Sequence, residues 1–143
     1  IYYGDEAGLC GFTDPDNRRT YPWGHENQQL IQFHKDIIRL RKENVELRSG
    51  SIKYVDSDYN FIAYARFCKQ GQSLILINNN DHPITKDVTV WELGTPRAGK
   101  MQTIFQSDAA GYRLQGQDYE MTMGKITVEL PATSATILKY RRE

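Results

Sequence analysis

The spacing of apolar residues changes period once along the chain. From about residue 27 to 44, Leu30, Phe33, Ile37 and Leu40 recur every three or four positions, and Ile31 and Ile38 widen the stripe. This spacing predicts an amphipathic helix. His34, Lys35, Arg39, Arg41 and Lys42 lie mostly off the stripe, so the basic cluster reads as a solvated helix face. Glu26 stands near the positive N-terminus of that helix, basic residues crowd its negative end, and Asn44 is a plausible stop. From Ser51 onward the pattern shortens. Segments near 52–56, 60–68, 73–79, 86–91, 101–105, 117–122, 125–130 and 134–140 are rich in Ile, Val, Tyr, Phe and Thr. Turn residues separate them, as at Asp56-Ser57-Asp58, Gln70-Gly71, Asn78 to Pro83 and Met123-Gly124. Short strands at such intervals predict a mainly β fold, an antiparallel β-sandwich. Leu74-Ile75-Leu76-Ile77 is apolar at every position, which predicts a central strand.

Ahead of the helix, Ile1-Tyr2-Tyr3 predicts a short strand closed by Gly4. A loop rich in Gly, Asp, Asn and Pro then runs from Asp5 to about Glu26. Loops of about twenty residues are long for a compact domain and are often functional. A lone strand and an amphipathic helix cannot bury themselves. They make sense as one βα unit of a larger α/β barrel, with sequence expected upstream. The start at Ile1, inside an apolar stretch and without Met, fits the same expectation of a processed or excised piece. The expected division is residues 1–50 as an incomplete barrel unit and residues 51–143 as a β-sandwich domain.

Charge narrows the function by exclusion. The 143 residues carry 18 basic and 18 acidic side chains. A nucleic-acid or acidic-membrane partner needs a positive field, which this balance does not provide. No apolar run is long enough for a transmembrane helix. Cys10 and Cys68 match no metal or disulfide pattern and are expected to be unpaired, buried thiols. His25, His34 and His82 are scattered, and no zinc, calcium or phosphate-binding spacing appears. No metal or cofactor is expected.

The chemistry lies in Ile1-Tyr2-Tyr3-Gly4-Asp5-Glu6-Ala7-Gly8, continuing to Asp14-Pro15-Asp16-Asn17-Arg18-Arg19 and Tyr21-Pro22-Trp23-Gly24. These residues resemble the end of the catalytic barrel in α-amylase-family glycoside hydrolases, with the neopullulanase, cyclomaltodextrinase and amylopullulanase group the nearest in pattern. In that family an I-Y-Y-G-D-E segment is the eighth barrel strand and a D-P-x-x-R loop follows it. Leu40-Arg41-Lys42 through Gly50 is similar to the family's passage into its C-terminal β domain. Leu130-Pro131-Ala132-Thr133-Ser134-Ala135-Thr136-Ile137-Leu138 is similar to the way that domain ends. The resemblance is specific over residues 1–50 and looser beyond.

It implies a retaining hydrolase of α-glucosidic bonds in starch, pullulan or maltodextrins, whose nucleophile, general acid and third carboxylate lie on earlier strands. It therefore implies no catalytic residue here and no activity for this chain alone. Asp14 and Arg18 match the family pair that holds a glucose on the non-reducing side of the cleaved bond. A carboxylate can accept from two hydroxyls, and a guanidinium donates in a fixed fork. The residues alone leave a plainer reading open: Asp14 caps a turn, and Arg18 or Arg19 pairs with Asp16. Tyr21 and Trp23 are expected to be the packed floor of the loop. Glu6 is expected to be a structural strand-end residue; adjacent carboxylates on a strand point to opposite faces, so Asp5 and Glu6 make no acid–base pair.

The alternative function is a non-catalytic carbohydrate-binding module, with Trp91, Tyr112 and Tyr119 as its platform, or a purely structural domain. Leu30, Phe33, Ile37 and Leu40 are expected to pack on the sandwich or on a second copy, the latter a route to self-association.

Overall fold

The computed structural model describes residues 1–141. The chain divides into two compact units, Ile1–Glu43 and a second beginning at Asn44.

The first unit holds helix α1, Gln28–Glu43. The Asn27 side chain caps its start, its Oδ1 accepting the backbone N–H of Leu30 at 3.0 Å. Arg41 and Lys42 occupy the last turn, where a cation meets the free carbonyls. Leu40 is buried, Leu30, Ile31, Phe33 and Ile37 are half-buried, and Ile38 is exposed. Asp36 is buried too, at 7% exposure, and pairs with Arg39 at 2.8 Å; the apolar spacing gave no sign of it. The expected opening strand is not formed. Ile1 to Tyr3 has no ladder partner among the described residues, and Tyr3 (φ 52°) and Gly4 (φ 83°) turn the chain into a short 3-10 helix, Asp5–Ala7. A strand exists only through its neighbours, because its backbone groups need partners.

The second unit opens with a short helix α2, Val45–Ser49, which the apolar periodicity did not reveal. Nine strands follow among the described residues: β1 Ser51–Ser57, β2 Phe61–Cys68, β3 Gly71–Asn78, β4 Ile84–Thr89, β5 Gly99–Asp108, β6 Gly111–Arg113, β7 Tyr119–Met121, β8 Lys125–Leu130 and β9 Ser134–Tyr140. All pairings are antiparallel. One sheet runs β1-β2-β3-β9-β5-β6, with β7 also on β5; β4 and β8 form a second, two-stranded sheet. The strand β3 is central, as its unbroken apolar run predicts. Its alternate residues Leu74 and Leu76 are fully buried and face Val88, Ile126, Val128 and Leu130 in one cluster between the sheets. On β8 the alternation of exposed and buried positions is complete from Lys125 to Leu130, the signature of a strand with one face on the core.

Two bulges interrupt the ladders, at Tyr54/Asp56 on β1 and Thr103/Phe105 on β5. The second has a large effect. Thr103 lies opposite Leu138 on the core side; past the extra residue it is Gln106, opposite Thr136, that takes the core side. A bulge re-aims every side chain beyond it.

Cys10 and Cys68 are unpaired, as expected, but not buried: Cys10 is exposed and Cys68 half-buried. Cys10 sits in a loop too short of apolar neighbours to enclose it, and its thiol points to the Gly8 carbonyl at 3.6 Å.

One buried charge stabilises the start of the second unit. Glu46 on α2 is fully buried. Its Oε1 accepts from the Ser73 hydroxyl at 2.7 Å and lies 3.1 Å from the Lys139 ammonium. Lys139 also donates to Asn44 Oδ1. A Cβ at position 71 would collide with this carboxylate, so a larger residue there would have to displace it from its partners. Burial pushes the Glu46 carboxyl upward, but the Ser73 hydroxyl, its own backbone N–H and Lys139 outweigh it and hold it below the ordinary value of 4.5. A depressed carboxyl stabilises the fold fully above its unfolded value, and that contribution fades as pH falls through the folded value. Glu46→Gln is therefore expected to cost about 1–3 kcal/mol near neutral pH. The gap between variant and wild type should shrink as the pH drops below 4.5. Urea unfolding over a pH series measures it, and a gap independent of pH would contradict the assignment.

Candidate functional site

The loop between the opening residues and α1 is built by its own side chains. The 3-10 turn Asp5–Ala7 is flanked by Gly4 and Gly8, both at positive φ. Ala7 is buried, and its carbonyl accepts the N–H of Asn27, the α1 cap residue. One end of the loop is thus fastened to the helix start. Asp5 accepts the Tyr2 N–H at 3.2 Å. Glu6 belongs to this turn and not to a strand end. Its Oε2 is buried and has no hydrogen-bond partner among the described residues.

Asp16 fastens the middle. Its Oδ2 accepts the Phe12 N–H at 2.9 Å, and its two oxygens take the Arg19 guanidinium in a fork at 2.7 and 2.8 Å. Arg19 first and the Phe12 N–H second hold the Asp16 carboxyl below its ordinary range. The chain passes so close here that a Cβ on Gly11 would lie 2.8 Å from the Asp16 carbonyl oxygen. A cavity of about 120 Å³ under this arc is lined by Tyr3, Leu9, Cys10, Asp16, Asn17 and Arg19. The plainer reading of the turn therefore holds for Arg19, which is consumed by Asp16.

Asp14 and Arg18 stand outside that cavity. Arg18 is the last residue of a second 3-10 turn, Asp16–Arg18, and Asp14 precedes that turn across a cis bond to Pro15. The turn brings the two side chains together, with Arg18 Nε 2.9 Å from Asp14 Oδ1, and leaves them 74% and 60% exposed. Ion pairs this open are worth about 0–1 kcal/mol, so the pair holds its geometry loosely. One carboxylate oxygen and the remaining guanidinium N–H groups still face solvent chemistry. That combination can clasp a vicinal pair of hydroxyls, one accepted and one donated.

Trp23 departs from the expected packed floor. It is 79% exposed and leans on the half-buried Tyr21, ring centroids 4.6 Å apart. Pro22 and Gly24, the latter at φ 78°, form a turn that presents the indole outward.

The three aromatics of the β domain do not form a shared platform. Tyr119 is buried in the core, Tyr112 stacks on Phe105 at 6.3 Å, and Trp91 lies against Gly124 with Arg97 over its ring at 5.7 Å. Among the described residues no group of three or more His, Cys, Asp or Glu side chains converges as a metal site. No helix there is long and apolar enough to cross a membrane.

Known proteins resemble this chain over two thirds to nearly all of its length. An amylopullulanase of Thermoanaerobacter thermohydrosulfuricus is 33% identical over 141 residues, covering 96% of this chain and 9% of that protein. Neopullulanase 2 of Thermoactinomyces vulgaris is 36% identical over 98 residues, 66% of this chain and 17% of that one. The crystal structure of a debranching enzyme from Nostoc punctiforme superposes with a TM-score of 0.73 at 28% identity, over 98% of this chain and 27% of the other. The chain thus spans less than a fifth of these curated relatives. Residues 52–141 match the family model described as alpha amylase, C-terminal all-beta domain. With more than half its length inside that model, the chain belongs to the α-amylase C-terminal all-β domain family.

Proposed function

We propose that this chain is a C-terminal portion of a retaining α-glucan hydrolase, in which residues 1–50 form the last βα unit of the catalytic barrel and residues 51–143 a stabilising β domain. The observation that carries the reading is the exposed Asp14–Arg18 pair, held on a loop that other residues fasten. Asp16, Arg19 and Asn27 fix the backbone, which frees Asp14 and Arg18 to grip a sugar. A βα loop of a barrel opens on the substrate face, where that pair would hold a glucose on the non-reducing side of the cleaved bond. The names of the relatives, amylopullulanase and neopullulanase, agree with an α-glucan substrate.

The reaction requires two carboxylates flanking the glycosidic oxygen, one as nucleophile and one as acid. The family resemblance implies that both acids lie on earlier barrel strands of the longer enzyme, with Asp14 and Arg18 left to hold substrate. The role of the β domain follows from its outer face. Register places Tyr54, Tyr64, Ile75, Ile137 and Phe105 in one row across five strands of the large sheet. Ile75 and Phe105 are already buried within the domain, while exposed Tyr54 and half-buried Tyr64 and Ile137 leave apolar surface for the rest of the longer enzyme to cover.

The test has two parts. The chain by itself is expected to release no reducing sugar from maltooligosaccharides. The longer enzyme is expected to release product whose first-formed anomer is α, followed by proton NMR before mutarotation. Turnover by the chain alone, or a β product, would refute the proposal.

A further inference from the structure

We propose that the β domain carries a second glucan-binding site, separate from the Asp14–Arg18 loop, in a groove of mixed apolar and polar lining at one end of the sandwich. The groove has a volume of about 480 Å³; its polar lining residues are Gln106, Arg113, Gln117 and Glu129, and Tyr119, Leu130 and two prolines supply apolar surface.

The bulge in β5 makes it. Without the extra residue at Thr103/Phe105, an apolar position would occupy the core side; instead Gln106 does, opposite Thr136 and paired with Arg113 of β6. The apolar interior therefore gives way to amide and guanidinium groups inside the mouth of the sandwich. Gly116 keeps the wall thin, since a Cβ there would lie 2.9 Å from Gln106 Oε1. Gln117 is held by its carbonyl, which accepts the Thr103 hydroxyl. Tyr119, 8% exposed, forms a floor of mixed character. Burial, with the Glu129 carboxylate second, raises its phenol above the ordinary value of 10.0, so it stays a hydrogen-bond donor.

The groove's chemistry selects a neutral ligand rich in hydroxyls. Arg113 and Glu129 offer one charge of each sign, so neither an anion nor a cation is favoured overall. Two glutamine side chains offer both donors and acceptors. Arg113 is partly engaged by Asp108 through one terminal nitrogen at 3.1 Å, which leaves its other N–H groups over. The choice of an α-glucan among hydroxylated ligands rests on the proposed function; the existence of the site does not.

The experiment titrates the full chain with maltohexaose and, in parallel, cellohexaose, following backbone amide shifts by heteronuclear NMR. Saturable shifts at residues 106, 113, 116, 117 and 129 are expected with maltohexaose. Gln106→Ala and Arg113→Ala are each expected to weaken that binding roughly tenfold, the loss of about one hydrogen bond to a charged or buried partner. An unchanged spectrum of core amides such as those of Leu74 and Leu138 certifies the fold of each variant. Glu129→Gln, on an exposed strand position, supplies a third variant that does not disturb the core. Shifts absent from the groove, or present but insensitive to all three substitutions, would overturn the site. Saturation by cellohexaose and not by maltohexaose would keep the groove and overturn its assignment to α-glucan. The product-anomer measurement on the longer enzyme is independent of both outcomes, so failure of the groove and failure of the hydrolase reading are told apart.

Discussion

Asn78→Ala is expected to lower the stability of the β domain by about 3 kcal/mol, the largest loss predicted for a polar side chain in this structure. Asn78 is 1% exposed at the end of β3. Its Nδ2 donates to the carbonyls of Pro131 at 2.7 Å and His82 at 3.1 Å, with that of Leu130 at 3.5 Å. Its Oδ1 accepts from the backbone N–H and the side-chain amide of Asn80, at 3.0 and 2.8 Å. One amide thus joins the β3–β4 connection to the β8–β9 turn, more than fifty residues on in sequence. Alanine removes the side-chain partner from these groups at once, and each group left buried without a partner costs about 1–3 kcal/mol. Asn78→Asp is expected to fare no better, because a carboxylate cannot donate to the three carbonyls. Equilibrium unfolding in urea gives the loss as a shift in midpoint at constant slope. A change below about 1 kcal/mol would show that water replaces the amide at little cost.

The second large effect concerns activity. In the longer enzyme, Arg18→Ala and Asp14→Ala are each expected to lower kcat/KM on maltooligosaccharides by about 10- to 150-fold, the value of a charged hydrogen bond of 1.5–3 kcal/mol. Because both side chains are mostly exposed and bonded to each other, neither substitution should change the unfolding midpoint appreciably. The double variant decides between two roles. If the residues grip two hydroxyls of one sugar, they act together, and the double loss falls short of the product of the single losses. Arg19→Ala serves as contrast. Arg19 is spent on Asp16, so its loss acts through loop order, and its effect should be partly restored by a tightly binding substrate. Equal kinetics for Arg18→Ala and wild type would remove the pair from the site.

The residues that announced themselves in sequence did so through repetition or through a motif. Alternation is complete on β8 and on the first five residues of β2, and an unbroken apolar run marked β3 as central. Helical spacing located α1 to within about one residue at each end. What stayed hidden has no period. The strand β6 is three residues long, with one half-buried side chain between two exposed positions. The β5 bulge is a single extra residue, invisible unless the partner strand is known. Glu46 lies in Val-Glu-Leu-Arg-Ser, which reads as surface; its burial is set by Ser73 and Lys139, 27 and 93 positions away (73 − 46 and 139 − 46). Asp14 and Arg18 were legible through a motif, but their mutual ion pair depends on a turn whose shape Asp16 dictates. The exposure of Trp23 and Cys10 was misjudged for one reason: a loop that closes on itself through polar bonds has too little apolar mass to cover either side chain.

The strand order has a consequence for how this protein is made. β9, the last of the described strands, lies between β3 and β5. Until those residues emerge from the ribosome, β3 and β5 each have one unsatisfied edge, and the two halves of the large sheet share no ladder. Closure is thus a late, long-range event, of the kind that slows folding and exposes adhesive edges meanwhile. Any frameshift or premature stop that removes Ser134–Tyr140 would leave two half-sheets rather than a shorter whole one.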